Sequence, residues 1–293
     1  MAAGGTSRLP RALLAAGAAQ GLGLARGLVV TASEGGAWLL GAPGLRRAYH
    51  AWLAGVVLLG PLLRPFADPH SVLASPHNYF SRTFVASAWG WTCVLAGGFG
   101  LLVSYGATGR ALAPLRPLAR LVVGTALQRA AAAIFWLAEE LTGQCYAPPP
   151  AGPPPLSLPP PAGPLPLLPP PPLGRADCLA AGLRWAGLLP SRPAFLLTFC
   201  CLLLAEELGV FRRYLARGCP AGTPMRLVFL LNVLLLALWS ALLLAAVLHA
   251  PAAGPLLVGA AAATLAWHAT YRGWYRVRCS PGRPGAGLFL AGP

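Results

Sequence analysis

Seven apolar windows, at residues 12–32, 51–66, 84–105, 118–138, 195–211, 227–248 and 256–271, occupy most of the chain. Each approaches the roughly 20 residues that cross the hydrocarbon of a bilayer as a helix. None alternates apolar with polar residues, as the strand of a membrane barrel does. Only helices and closed barrels satisfy every backbone amide inside lipid. The expected fold is therefore an all-α polytopic membrane protein, with residues 1–293 forming one transmembrane domain. Composition points the same way: 56% of residues are hydrophobic, 10% are charged and the mean hydropathy is +0.63.

All 22 basic residues are arginine, and they set a formal charge of +15. Lysine is absent and isoleucine occurs once, so part of this bias reflects coding composition. The arginines are scattered between apolar stretches and form no single stripe, which excludes a nucleic-acid-binding surface. No metal or cofactor is expected. The first window has basic flanks without a clean small-residue cleavage site, and is expected to remain as a membrane helix.

Arginine-rich short loops stay on the cytosolic side of a membrane. The loop carrying Arg212, Arg213, Arg217 and Arg226 is rich in them, as is the tail carrying Arg272, Arg276, Arg278 and Arg283. The turn 250–255 between them has none. The expected topology puts that turn in the lumen and both termini in the cytosol, which demands an even number of crossings. One window must then fail to cross. Window 118–138 carries Arg129 near its centre, where an arginine costs about 2.5–3.5 kcal/mol. Six crossings are expected, with 118–138 re-entrant or interfacial.

Residues 147–173 are mostly proline and form no helix; the expectation is an extended lumenal insert. Cys145 and Cys178 flank it, and in an oxidising lumen they can close it with a disulfide. The other five of the seven cysteines lie in helices or face the cytosol.

Few residues can carry chemistry. His50 and His268 read as interfacial, and His70 and His77 fall in an expected cytosolic loop. His249 ends a long apolar window on the same side of the membrane as the "PSRP" that opens window 195–211. Glu206 and Glu207 read as interfacial carboxylates beside Arg212, or as hydrogen-bonding groups for a glycerol hydroxyl inside the bundle. Asn232 reads as a helix–helix hydrogen bond or a lipid contact. Trp89 and Trp91 suit an aromatic belt. Phe195, Leu196 and Leu197 offer apolar helix surface.

The stretches "LRRAYHAWLAGVVLLGPLL", "SAWGWTCVLAGGF", "RLVVG", "LTGQC", "FLLTFCCLLLAEE", "MRLVFLLNVLLLALW" and "SPGRPGAGLF" resemble the fat storage-inducing transmembrane proteins, the type 1 branch in particular. The resemblance implies an endoplasmic-reticulum membrane protein with six helices and both termini cytosolic. It also implies triacylglycerol and diacylglycerol as partners, and promotion of lipid-droplet formation. The type 2 branch is similar to lipid phosphate phosphatases, in which a Ser-Gly-His at one helix start and a second histidine cleave a fatty acyl-CoA diphosphate. Here the matching residues are Ser191-Arg192-Pro193, and His249 stands at or next to the second histidine. Arg120 and Arg129 are then candidate phosphate contacts. Two imidazoles are needed, one to attack phosphorus and one to protonate the leaving oxygen, and Pro193 supplies neither. Two functions follow: a non-enzymatic neutral-lipid protein, or an acyl-CoA diphosphatase.

Overall fold

The computed structural model describes residues 8–66, 85, 87–110, 112–146, 174–250 and 252–288, with side chains from residue 20 onward. The proline-rich insert and the segment holding His70 and His77 lie outside the described residues.

The described chain is mostly helical. A long helix α1 (Arg8–Gly41) is followed by α2 (Pro43–Leu59), which tightens into a 3-10 turn over Gly60–Phe66. Pro43 breaks the two apart at Ala42, because it has no amide to donate and forces the preceding residue into extended geometry. Helices α3 (Ala88–Thr108) and α4 (Leu115–Thr142) come next. A short hairpin pairs β1 (Gln144–Tyr146) with β2 (Arg184–Ala186), and α5 (Arg175–Ala180) sits between them. The remainder is α6 (Arg192–Leu208), α7 (Val210–Ala216), α8 (Thr223–His249) and α9 (Ala253–Trp267), the last continuing as a π turn over His268–Gly273.

Among the described residues, four helical stretches are long and apolar enough to cross a membrane: α3, α4, α6 run on through α7, and α8. The α6–α7 stretch is 83% buried against 11% for α4, so α6 is the central post and α4 lies on the outside. Around it sit fully buried Trp239, Trp267 and Leu243, and a cluster of Phe99, Phe211 and Phe229 whose rings lie 4.6–5.7 Å apart.

Side-chain pairs fix the direction of each helix. Asn232 Nδ2 donates to the Leu95 carbonyl at 2.9 Å and Trp239 Nε1 to Thr92 Oγ1 at 3.1 Å, so α3 and α8 are antiparallel. Trp89 Nε1 reaches Thr125 Oγ1 at 3.1 Å, and Gly100 abuts Pro117, which makes α4 antiparallel to α3. Tyr49 bonds Ser240 at 2.8 Å and Gly60 abuts Val247, so α2 runs with α8. Ser191 N donates to the Pro255 carbonyl at 2.8 Å and Tyr271 bonds Glu207 at 3.0 Å, so α6 and α9 run together. One end of the bundle thus gathers Arg46, Arg120, Arg213, Arg226 and Arg272; the other gathers Pro193, His249 and the hairpin.

The structure bears on several of these expectations. Window 118–138 lies within an unbroken helix of 28 residues, which shows no re-entrant break, and Arg129 is exposed on the surface of that helix. Window 12–32 does not pack as a bundle helix over its described side chains. Residues 20–28 are all exposed, and α1 docks through its last third, where Arg226 bonds Ser33 at 2.8 Å and Glu34 at 3.1 Å. Finally, α2 starts at the arginine-rich end and finishes on the His249 side, where α3 begins. Trp89 also differs from a belt residue: it packs into the α3–α4 contact at Gly124 and against Phe199.

Candidate functional site

Two concave regions lie at opposite ends of α6. At its start Ser191 caps the helix, its Oγ accepting from Ala194 N at 3.3 Å. Pro193 falls in the first turn, where a missing amide costs nothing. The close approach of α9 requires Gly259, because a Cβ there would strike the Ser191 carbonyl. The "PSRP" turn and the α8–α9 turn therefore meet, as their shared side of the membrane suggested.

Beside this turn, between α4 and α6, is a cavity of about 310 Å³. Phe135, Phe195, Leu196, Ala131 and Pro193 line it, with Gln128 and Arg192 as its polar groups. Phe195 stacks on Phe199 at 6.0 Å and meets Phe135 edge-on at 5.6 Å, which fixes one wall. Gln128 Nε2 is buried with no partner among the described residues, a donor available to an ester or hydroxyl oxygen. His249 does not line this cavity. Its Nδ1 lies 2.9 Å from the Ala245 carbonyl of its own helix, and its Nε2 is buried without a described partner.

The other candidate residues separate. Leu197 is wholly buried in the core and so is Asn232, which holds α8 to α3; Asn232 is a helix–helix bond here. Glu207 is spent on the bundle: Arg120 reaches it with Nε at 2.7 Å and Nη2 at 2.8 Å, and Tyr271 donates to it at 3.0 Å. Arg120 therefore sits about 21 Å along α6 from Pro193, on the helical rise, and does not join His249 in a phosphate site. Arg129 is exposed midway and joins neither end. Glu206 pairs with Arg46 at 3.0 Å instead of Arg212, whose guanidinium covers the Trp38 ring at 4.2 Å.

At the arginine-rich end the tail folds back over α4 and α7. Arg116 donates to the Ala286 carbonyl at 2.9 Å and Arg213 to that of Pro284 at 2.8 Å. Gly285 and Gly287 adopt φ of +76°, and a Cβ on Gly287 would meet Arg116, which accounts for the glycines in "RPGAG". Burial pushes the Tyr275 phenol up to about 12, so it stays neutral beside this network. A second, larger cavity of about 720 Å³ opens here. Sequence reasoning missed it, since its arginines come from four separate stretches. At the opposite end a disulfide joins Cys145 of β1 to Cys178 of α5 and closes the loop that carries the proline-rich insert.

A bundle of apolar helices, ringed by arginine at one end and holding an apolar cavity at the other, defines a polytopic membrane protein. Comparison with known proteins then places it: the chain belongs to the fat storage-inducing transmembrane protein family. It is 50% identical to fat storage-inducing transmembrane protein 1 of Homo sapiens over 268 residues, 92% of this chain and 87% of that one. The protein of the same name in Danio rerio is 39% identical, over 89% of this chain and 91% of its own length. Acyl-coenzyme A diphosphatase FITM2 of Bos taurus is 32% identical over 85% of this chain and 92% of its length. No protein-family model matches the chain. No solved structure matches it either.

Proposed function

We propose that this chain is an endoplasmic-reticulum membrane protein that binds triacylglycerol and diacylglycerol and promotes lipid-droplet formation and fat storage without enzymatic chemistry. Its type 1 relatives support the fat-storage part. The observation that carries the rest is the cavity at the head of α6: aromatic and aliphatic walls, two polar groups and no histidine among its lining residues. An uncharged acyl ester needs apolar contact and a hydrogen bond, and Phe195, Leu196 and Gln128 supply both. In this reading six segments cross the membrane: α2 with its 3-10 turn, α3, α4, α6, α8, and α9 with its π turn. With α1 outside that set, both termini fall on the arginine-rich side, which is cytosolic by the distribution of charge, and residues 147–173 are lumenal.

The second reading is an acyl-CoA diphosphatase, favoured by the relative of that name and by the unpartnered Nε2 of His249. It lacks the first imidazole, and His249 faces its own helix rather than the cavity. Purified full-length protein should be exposed to a photoreactive triacylglycerol in detergent. Saturable crosslinks at Phe135, Phe195 or Leu196, competed by diacylglycerol, are expected. Labelling no greater than that by a photoreactive phosphatidylcholine would overturn the neutral-lipid reading.

A further inference from the structure

The cavity at the arginine-rich end differs from the apolar one in its lining, which is rich in arginine. Arg46 and Arg47 reach it from α2, Arg213 from α7, Arg272 from the π turn and Arg283 from the tail; Glu206 is the carboxylate in its lining. Five positive charges against one negative make the lining strongly cationic. Arginines that serve only to orient a membrane protein need no such convergence, because scattered loop positions suffice. Here they arrive from stretches far apart in sequence and enclose one space of about 720 Å³, within the range of small-molecule sites.

Two polar atoms of the lining are left over by the fold. Arg46 gives Nη1 to Glu206 at 3.0 Å, yet its Nε is buried with no partner among the described residues. His50 Nε2 is buried and unpartnered in the same way, one turn further along α2. Buried polar atoms without partners are rare and call for a ligand or an ordered water. Packing like charges together costs free energy that a multiply charged anion offsets, and the planar guanidinium fork suits phosphate oxygens in particular.

We propose that this cavity binds a phosphate-bearing anion, either the phosphomonoester headgroup of a membrane lipid or a soluble diphosphate, held chiefly by Arg46, Arg47 and Arg272. The proposal stands apart from the neutral-lipid reading and neither needs the other. Full-length protein in phosphatidylcholine nanodiscs, titrated calorimetrically, tests it. The probes are dioctanoyl phosphatidate and inorganic pyrophosphate, with dioctanoylglycerol as the uncharged control and empty nanodiscs subtracted. At least one charged probe should bind saturably, and the Arg47→Gln/Arg272→Gln protein should bind it at least tenfold more weakly. Glu206→Gln removes the opposing charge and should tighten binding several-fold, a gain that misfolding cannot produce. Phosphatidate binding that pyrophosphate fails to displace identifies the lipid headgroup as the source; pyrophosphate that binds and displaces it identifies the soluble anion. Binding of neither charged probe above the dioctanoylglycerol control overturns the proposal. So does wild-type affinity in both the double variant and Glu206→Gln.

Discussion

Arg120 and Glu207 close on each other across α4 and α6 as a two-pronged pair, Nε at 2.7 Å from one carboxylate oxygen and Nη2 at 2.8 Å from the other. Both side chains are nearly inaccessible, at 6% and 11% exposure. Tyr271 adds a third bond, so one carboxylate joins α4, α6 and the π turn. Removing one partner of a buried pair leaves the other charge unpaired, typically at a cost of about 3–5 kcal/mol. Arg120→Ala should therefore unfold at markedly lower temperature in detergent. Arg120→Met with Glu207→Leu should recover most of that loss, since no charge is stranded. Thermal unfolding followed by tryptophan fluorescence checks both, and equal losses in the single and double variants would contradict this account.

The disulfide gives a second test. Cys145 and Cys178 lie 33 residues apart and close a loop around the insert. A loop of that size, on a chain-entropy estimate, gains about 3–4 kcal/mol from the cross-link. Unreduced peptide mapping should recover the linked pair, and Cys145→Ser should lower the unfolding temperature by several degrees. The effect should be matched by reductant on the natural protein and absent when reductant is added to the variant.

A third expectation concerns Gly259. The α6–α9 contact is so close at this point that an added Cβ meets the Ser191 carbonyl itself, and backbone cannot move aside as a flexible side chain can. Overpacking of this kind costs about 1–3 kcal/mol. Gly259→Ala should lower stability and speed proteolysis near Ser191. The same change at Gly254, where a Cβ meets nothing, should be silent in both measurements.

The long helices were legible because bilayer-length apolar windows leave little choice: 227–248 lies within α8, and 195–211 within the α6–α7 stretch. What the windows hid was direction. Arg46 and Arg47 are compatible with either side when arginines are counted loop by loop, and their side follows from long-range contacts of α2: Tyr49 with Ser240, Gly60 with Val247, and Arg46 with Glu206, 160 positions away. The same limit applied to Arg129, whose charge suggested a segment unable to cross. The structure nevertheless keeps the segment as one helix of 28 residues, without the break that a re-entrant segment would need. At the α6 head, Pro193 and His249 were identifiable by resemblance. Gln128 was not, because a lone glutamine in an apolar window has no signature until its partner helix is known.

The last expectation is about catalysis, and turns on what stands around His249. Phosphoryl chemistry of the phosphatase kind needs one imidazole to attack and another to protonate the leaving oxygen. Pro193 can do neither, having no ionisable group and no amide hydrogen. His249 has one nitrogen against the Ala245 carbonyl and lies outside the cavity that Pro193 lines. Acid–base help from one positioned group is worth about 10²–10⁴ in rate, and partners that act as a unit lose most of their effect together. Acyl-CoA cleavage by the purified protein should therefore be negligible beside that of a relative carrying both histidines. His249→Ala should leave triacylglycerol crosslinking and droplet formation in cells close to the natural level, because the walls formed by Phe135, Phe195 and Leu196 do not involve that ring. Assays of thioester-linked diphosphate cleavage and of droplet number on the same variant separate the two functions. Robust cleavage by the natural protein that disappears in His249→Ala would mean that another group supplies the missing proton transfer, and the enzymatic reading would then replace the one proposed.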